Sequence, residues 1–262
     1  MTTPETADST ETADGTEHLD GTEHAGRATM ARAETTPVEV AAAVDILFEQ
    51  IFVRLDEWRT VVADSGEQIT PGDLDALVED LVVSELAQPA PLFIGAGFIT
   101  AGDFVNGTDV HFSWWLGPFE GNPILGRTTE PTKLDLTARI HTEYLRDFRS
   151  LEWYSIPETT RHAHVTGPYV DHLCTFEYIL TITVPVYAND DRMIGVVGVD
   201  VAVRTLETQL LGLFLDCPLS LAMLSDAGRV IMSTDPAVSP GSLLTAHRRL
   251  PCPTTPFALA IL

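Results

Sequence analysis

The sequence predicts an α+β protein in which a long N-terminal helix packs on an antiparallel sheet. Apolar residues recur at helical spacing over residues 37–86, whereas residues 167–234 alternate in short β-rich runs joined by turns. Because helices come first and hairpin-connected strands follow, the order is typical of the α+β class. A length of 262 residues with 45% hydrophobic content also allows a sizeable core.

Residues 1–35 are predicted to be a disordered acidic tail. The segment repeats "ETAD" at 5–8 and 11–14 and "DGTEH" at 14–18 and 20–24, and it has almost no large apolar residue. Such a composition does not bury enough surface to offset the entropy of ordering. We therefore expect the main domain to span residues 36–215 and a separate C-terminal hairpin module to span residues 216–262.

The long helix begins at a capping box, with Thr36 as N-cap, Pro37 at the first helical position and Glu39 three residues after the cap. Its apolar stripe repeats about every 3.7 residues over about seven turns and consists of Val40, Val44, Leu47, Ile51, Leu55, Trp58 and Val62. Phe48, Phe52 and Val53 lie partly off this stripe. They predict a second apolar face, which either forms a homodimer or packs on its own domain.

The remaining elements follow from turn and breaker residues. A second helix begins at Thr70 and Pro71 and ends before "QPAP" at 88–91. Helical patterns also cover 141–157 and 205–215, and a hairpin with Gly228 in its turn covers 221–234. Strands are predicted over 92–99, 109–117, 132–137, 167–171, 178–187 and 194–203.

The charge balance excludes several classes of partner. With 15 basic and 38 acidic residues the net charge is −23, which argues against nucleic acid or an anionic membrane surface. The sequence shows neither an 18-residue apolar run nor a secretory signal, so we expect a cytoplasmic protein. Three scattered cysteines indicate reduced thiols and no zinc site. No cofactor is predicted.

Two acids end otherwise apolar strands. Asp171 closes "GPYVD" and Asp200 closes "IGVVGVD". Two carboxylates held close together repel each other unless a cation lies between them. The ammonium of a ligand would fill that gap through charge-assisted hydrogen bonds and contact with an aromatic face. Two alternatives stay open: Asp171 caps the turn after its strand, and Asp200 binds backbone amides at the start of the next helix.

Four motifs in order carry a family resemblance. "EWY" (152–154), "GPYVD" (167–171), "LTITVPVY" (180–187) and "IGVVGVDV" (194–201), behind the long helix, resemble the Cache family of PAS-like small-molecule sensor domains over about residues 38–215. The resemblance implies an antiparallel sheet whose concave face encloses a ligand. Residues 219–244 are similar to the start of a second Cache module that is truncated here. Cache domains are mostly extracytoplasmic, whereas we expect a soluble, stand-alone protein.

The resemblance also implies a set of site residues. In amino-acid-binding members, the residues at the matching positions bind the ligand's ammonium and supply aromatic contacts. In this sequence these positions are occupied by Trp153, Tyr154, Tyr169, Asp171 and Asp200. Leu151 stands where these members have an arginine that binds the ligand carboxylate, so Arg149 is a candidate substitute. Tyr178 is a further pocket candidate, with cross-strand packing as its alternative. Trp114 and Trp115 are adjacent, so only one of them can face a pocket from a strand.

These observations predict a non-catalytic sensor for a small cationic amine or an amino-acid-like metabolite. It would signal through a partner protein such as a transcriptional regulator or a transporter. One alternative is an assembly module with a vestigial pocket. Another is a small hydrolase or metal enzyme using the Asp171 and Asp200 pair, although no Walker lysine, Gly-x-Ser-x-Gly or His-Glu-x-x-His motif is present.

Overall fold

The computed structural model describes residues 34–66, 69–102, 104–106, 110–122, 125–135, 148–172 and 174–262. The disordered tail predicted for residues 1–35 lies outside the described residues, apart from Glu34 and Thr35. The first part of the predicted helical segment 141–157 also lies outside them.

The described chain has four α-helices and ten strands, which confirms the predicted α+β class. The helices are α1 (Pro37–Ala63), α2 (Pro71–Leu86), α3 (Glu152–Thr160) and α4 (Val203–Asp216), and a 3-10 turn covers Phe148–Ser150. The strands are β1 (Gly95–Thr100), β2 (Phe112–Leu116), β3 (Thr132–Lys133), β4 (His164–Val170), β5 (Tyr178–Tyr187), β6 (Met193–Ala202), β7 (Leu221–Leu224), β8 (Val230–Ser233), β9 (Arg249–Pro251) and β10 (Ala258–Ile261).

Helix α1 begins at the predicted capping box. The Thr36 hydroxyl accepts a hydrogen bond from the Glu39 backbone N–H at 3.3 Å, and the Glu39 carboxylate accepts one from the Thr36 N–H at 2.7 Å. Of the off-stripe residues, Phe48 is fully buried and packs edge-on against Phe257 at 4.7 Å between ring centroids, so it packs within its own chain. An exposed aliphatic stripe nevertheless remains on α1, formed by Val38, Ile46, Val53 and Val61.

Six strands form one antiparallel sheet in the order β3-β2-β1-β6-β5-β4. One face of this sheet packs on α1, α2 and α4 around the main hydrophobic core. The opposite face carries a second apolar cluster, built with α3 and the 3-10 turn, that includes Ile99, Trp114, Phe148 and Tyr154. This second face is where a ligand site would lie in the predicted fold.

The β3 edge is shorter than the predicted strand 132–137. Only Thr132 and Lys133 pair with β2, and residues 136–137 lie outside the described residues. The Lys133 ammonium binds the Asp75 carboxylate of α2, which also accepts a hydrogen bond from the Ser113 hydroxyl at 2.8 Å. His111 Nε2 lies 2.8 Å from the same carboxylate. This polar cluster fastens α2 to the sheet edge.

The C-terminal module is a four-stranded antiparallel sheet in the order β8-β7-β10-β9. The predicted hairpin is its β7–β8 pair, with Gly228 at φ +76° in the turn. Asp45 of α1 links the module to the rest of the chain, because its carboxylate accepts hydrogen bonds from the Thr254 N–H at 3.0 Å and the Thr254 hydroxyl at 2.7 Å. Resemblance of this module to a truncated second Cache module stays a prediction.

Within the described part of the chain, no helix combines the length and the apolar character needed to cross a lipid bilayer.

Candidate ligand-binding site

A cavity of about 70 Å³ lies between the open face of the six-stranded sheet and α3. Its walls are aromatic and aliphatic side chains together with two carboxyl groups and three hydroxyl groups, and none of the described lining residues is basic. The lining residues are Ile99, Phe112, Trp114, Leu134, Trp153, Tyr169, Asp171, Cys174, Thr181, Thr183 and Asp200.

Strand register sets the floor of the cavity. Asp200 of β6 lies opposite Gly95 of β1 on one side and Thr181 of β5 on the other, so these three residues form one cross-strand row. A Cβ at Gly95 would lie 2.9 Å from Trp114 Nε1 and 3.1 Å from Asp200 Oδ2. The glycine therefore leaves the space that the indole and the carboxyl group occupy.

A second row repeats this arrangement one pleat further along. Gly97 lies opposite Trp114 on one side and Gly198 on the other, and Gly198 in turn lies opposite Thr183. A Cβ at Gly97 would lie 2.2 Å from the Ser113 carbonyl oxygen. Because Gly97 and Gly198 have no side chains, the Trp114 ring can lie over the sheet at these adjacent positions, and it forms one wall of the cavity.

Asp200 is a buried acid with few hydrogen bonds. Its side chain is 6% exposed, and the Thr181 hydroxyl donates to its Oδ1 at 2.6 Å. The Tyr169 hydroxyl lies 2.7 Å from Thr181 Oγ1, so a polar chain runs from β4 to β6. Burial and, to a smaller extent, the nearby charge of Asp171 raise the pKa of Asp200 to about 8, with the hydrogen bond from Thr181 acting in the opposite direction. Asp200 therefore holds its proton at neutral pH while the cavity is empty.

Asp200 does not cap the helix that follows it. Helix α4 has Ala202 as its N-cap, and no side chain caps its first turn by a hydrogen bond. The carboxyl group is directed instead to the Thr181 side of the sheet. Of the two interpretations offered for this acid, the structure favours the one in which it faces the cavity.

Asp171 caps the turn after its strand and also lines the cavity. It follows β4, and its Oδ2 accepts hydrogen bonds from the Thr175 N–H at 2.8 Å and the Thr175 hydroxyl at 2.9 Å. Its Oδ1 accepts one from the Cys174 N–H at 3.2 Å. The carboxylate thus caps the turn 171–177 while lining the cavity beside Tyr169.

The adjacent aromatics of α3 point to different places. Trp153 lines the cavity, stacks on Phe148 at 6.0 Å with a 20° interplanar angle, and its carbonyl accepts a hydrogen bond from the Thr183 hydroxyl at 2.6 Å. Tyr154 is fully buried against Phe148 at 4.9 Å and is not among the cavity residues. Burial raises the pKa of Tyr154 to about 12, and its hydroxyl has no hydrogen-bond partner among the described residues. A ligand contact for Tyr154 stays a prediction.

Tyr178 and Arg149 also lie outside the cavity lining. Tyr178 lines a larger cleft of about 840 Å³ between β4 and the C-terminal module. A Cβ at Gly241 would lie 3.1 Å from the Tyr178 hydroxyl oxygen, so this tyrosine packs against that module. Arg149 is exposed, with its guanidinium over the Phe148 ring at 5.8 Å. Their ligand roles stay predictions, and Leu151 lines the larger cleft as well.

Sequence reasoning missed several cavity residues. The sequence predicts Thr181 and Thr183 only as strand residues. Their alternation with Leu180, Ile182 and Val184 places both hydroxyls on one face of the strand, and this is the signal that could have identified them. Trp114 is the member of the tryptophan pair that lines the cavity, whereas Trp115 packs in the main core. Ile99, Phe112, Leu134 and Cys174 carry no local signal that distinguishes a cavity wall from a core.

The described residues contain no group of three or more His, Cys, Asp or Glu side chains placed to hold a metal ion. His162 and His164, the pair in "HAH", are engaged separately. His164 Nε2 lies 2.8 Å from a Glu152 carboxylate oxygen, and His162 Nδ1 lies 2.6 Å from the Thr160 carbonyl oxygen.

Comparison with known proteins gives one family match over part of the chain and several structures of similar fold. Residues 114–208 match the family model described as methyl-accepting chemotaxis protein-like, first PDC sensor domain. None of the curated protein sequences matches the chain.

Three solved structures illustrate the structural likeness. The ligand-binding domain of the Pseudomonas aeruginosa PAO1 amino acid chemoreceptor PctC in complex with GABA is 18% identical, with 86% of this chain and 96% of that chain covered and a TM-score of 0.55. An extracellular ligand binding receptor from Desulfohalobium retbaense is 12% identical, with 85% and 38% covered and a TM-score of 0.52.

The sensory domain of the Campylobacter jejuni chemoreceptor Tlp3 with isoleucine bound is 15% identical, with 79% and 71% covered and a TM-score of 0.50. At such identities the likeness shows a shared fold. The family model covers residues 114–208, which is about a third of the chain.

Proposed function

We propose that this protein is a non-catalytic sensor that binds a small cationic amine or amino-acid-like metabolite in the cavity between the sheet and α3. The observation that carries the proposal is the meeting of two buried carboxyl groups, Asp171 and Asp200, in a cavity whose described lining has no basic residue. An ammonium ion would form a charge-assisted hydrogen bond with the Asp200 carboxyl group, which accepts one hydrogen bond, from Thr181. The family model matched by residues 114–208 describes a sensor domain, which also supports a binding role.

Each wall of the cavity has a part in binding the amine. Asp200 would accept hydrogen bonds from the ammonium after giving up its proton, and Asp171 would add a second negative charge from the turn. Trp153 and Trp114 offer aromatic faces for cation–π contact with the ammonium or with the carbon next to it. Tyr169 and Thr181 would keep the Asp200 carboxyl group in one orientation through their hydrogen-bonded chain.

Binding is proposed to signal by changing how the protein contacts another protein, such as a transcriptional regulator or a transporter. The exposed stripe of α1 is the surface proposed for a homodimer, because Ile46 and Val53 in its middle are exposed, lie seven residues apart and therefore face nearly the same direction. A cytoplasmic location, and the alternatives of an assembly module or a hydrolase, stay predictions from the sequence.

Thermal unfolding with added ligands tests the proposal. We expect primary amines or amino acids to raise the melting temperature of the wild-type protein, because a ligand at about 100 times its Kd adds about 2.7 kcal/mol of stability. The same compounds should fail to stabilise Asp200→Asn. If no amine or amino acid stabilises the wild type while a carboxylate such as succinate does, the assignment of a cationic ligand is wrong.

A further inference from the structure

We infer that the ligand is an elongated amine whose ammonium lies in the cavity while its body extends into the adjoining cleft, so that the C-terminal module forms part of the binding site. This inference rests on the proposed function and names a narrower ligand class for the same site. It is based on two neighbouring voids of very different size that are lined in part by the same side chains.

The cavity is too small to enclose a metabolite. Its volume of about 70 Å³ corresponds to about two water molecules at about 30 Å³ each. Pockets that enclose a whole small ligand usually measure about 300–1,000 Å³. The cavity therefore holds an ammonium group and the first one or two carbons, and the rest of the ligand must lie elsewhere.

The larger cleft is the neighbouring space that can take this remainder. It measures about 840 Å³, and Trp153, Tyr169 and Asp171 line both it and the cavity. The two voids therefore adjoin at these three side chains. In the inferred binding mode, the carbon chain of the ligand would cross this boundary into the cleft, where Leu151 and Val170 provide apolar surface.

The far wall of the cleft belongs to the C-terminal module. It is the β7–β8 turn, Ser225 to Arg229, together with Gly241. Arg229 fixes this wall, because its Nη1 donates a hydrogen bond to the Gly241 carbonyl at 2.6 Å. A ligand body in the cleft would therefore contact the sensor sheet and the C-terminal module at the same time.

Polar side chains on the far wall of the cleft favour a ligand whose far end forms hydrogen bonds. Asp226 and Arg229 line the cleft and are exposed. A hydroxyl at the end of the ligand body would donate a hydrogen bond to the Asp226 carboxylate or accept one from the Arg229 guanidinium.

Calorimetric titration with linear amino alcohols of two to eight carbons tests the inference on the wild-type chain. Ethanolamine probes the cavity alone, whereas the longer members reach the cleft. We expect affinity to rise by about fourfold for each methylene buried beyond the first few carbons. The rise should stop once the chain spans the cleft.

A matched pair of variants locates the contact. Ala227→Trp places an indole in the cleft from the exposed β7–β8 turn, and Ala237→Trp makes the same change at an exposed position outside the cleft lining. Ala227→Trp should weaken the eight-carbon amino alcohol at least tenfold and leave ethanolamine unchanged, and Ala237→Trp should change neither. Melting temperatures of both variants check folding, and the chain-length series on the wild type tests the inference independently of them.

The outcomes separate this inference from the proposed function. Binding of ethanolamine that is lost in Asp200→Asn, with no gain from longer chains, would overturn the inference and leave the amine sensor standing. Equal losses for short and long amino alcohols in Ala227→Trp would also overturn it. If the wild type binds no member of the series while an amino acid raises its melting temperature, the inference falls and the proposed sensor function stands; if neither amines nor amino acids bind, both fall.

Discussion

Replacing Asp200 by Asn removes one charge from the cavity with almost no change of shape. Asn keeps an oxygen that accepts the hydrogen bond that Thr181 donates at 2.6 Å in the wild type, so the row across β5 and β6 should persist. The lost interaction is a charge-assisted hydrogen bond with the ligand ammonium, which is worth about 1.5–3 kcal/mol. We expect the affinity for an amine to fall about 10- to 150-fold.

The pH dependence of binding gives this prediction a second measure. The pKa of Asp200 is raised to about 8 in the empty protein, whereas the ammonium binds the ionised form of the carboxyl group. About 1% of the carboxyl groups are ionised at pH 6 and about half at pH 8, so wild-type affinity should rise by about 50-fold over this interval. Each ligand bound at pH 7 should release about 0.9 proton.

Isothermal titration calorimetry at pH 6, 7 and 8 measures both effects, and buffers of different ionisation enthalpy report the proton released. Asp200→Asn should show an affinity that is independent of pH over this range and weaker than that of the wild type at pH 8, with the two affinities converging towards pH 6. Asp80→Asn removes a charge from an exposed position on α2 and should behave as the wild type. An Asp200→Asn variant that binds the amine as tightly as the wild type at pH 8, or a wild-type affinity that is flat from pH 6 to 8, would refute this account of the site.

Four further predictions concern stability and assembly. Because the pKa of Asp200 is raised, between pH about 4 and about 8 the folded state keeps a proton that the unfolded state has lost. The free energy of unfolding of the empty wild type, measured in urea, should therefore fall relative to that of Asp200→Asn as pH rises through this window. A difference in unfolding free energy between the two proteins that stays constant with pH would contradict this. Gly95→Ala should destabilise by about 1–3 kcal/mol through overpacking against Trp114, whereas Gly212→Ala, in open space on α4, should stabilise by up to about 1 kcal/mol in the same denaturation assay; equal effects would disprove the crowding at Gly95. Sedimentation velocity at micromolar concentration should show a dimer that Val53→Glu, on the exposed stripe of α1, converts to a monomer; a monomeric wild type would end the dimer proposal. Deletion of residues 1–33 should leave the melting temperature unchanged, because their composition offers no core residues, and a clear drop in a thermal scan would contradict this.

Local signals predicted the helices well. The caps at Thr36 and Thr70 mark the starts of α1 and α2, because each side-chain oxygen accepts a hydrogen bond from an N–H three residues later. Strands β9 and β10 were not predicted. The first is three residues long and includes Pro251, and the second is a short apolar run without alternation. Such strands depend on pairing with distant residues, which a local pattern does not contain.

The sequence predicts the two acids of the candidate site, but it predicts the apolar residues of the cavity walls less well. Asp171, Asp200, Tyr169 and Trp153 lie around one cavity because adjacent antiparallel strands bring their ends together. Tyr154 differs from Trp153 by one position on a helix, which turns its side chain by about 100°. That rotation directs it into the cluster around Phe148. Which of two neighbouring aromatics faces a cavity depends on how the helix is rotated about its axis, and tertiary packing sets that rotation.

The two acids of the cavity differ in what else depends on them. Asp171 holds the turn 171–177 through three hydrogen bonds, whereas Asp200 accepts one hydrogen bond from a neighbouring hydroxyl. In the proposed binding mode, a change at position 171 would disturb the loop and ligand binding together, whereas a change at position 200 would alter ligand binding and leave the backbone as it was. A descendant of this protein that turned to a neutral ligand would therefore change at position 200 first. Position 171 would remain an acid even without a role in ligand binding, because its carboxylate stabilises the loop.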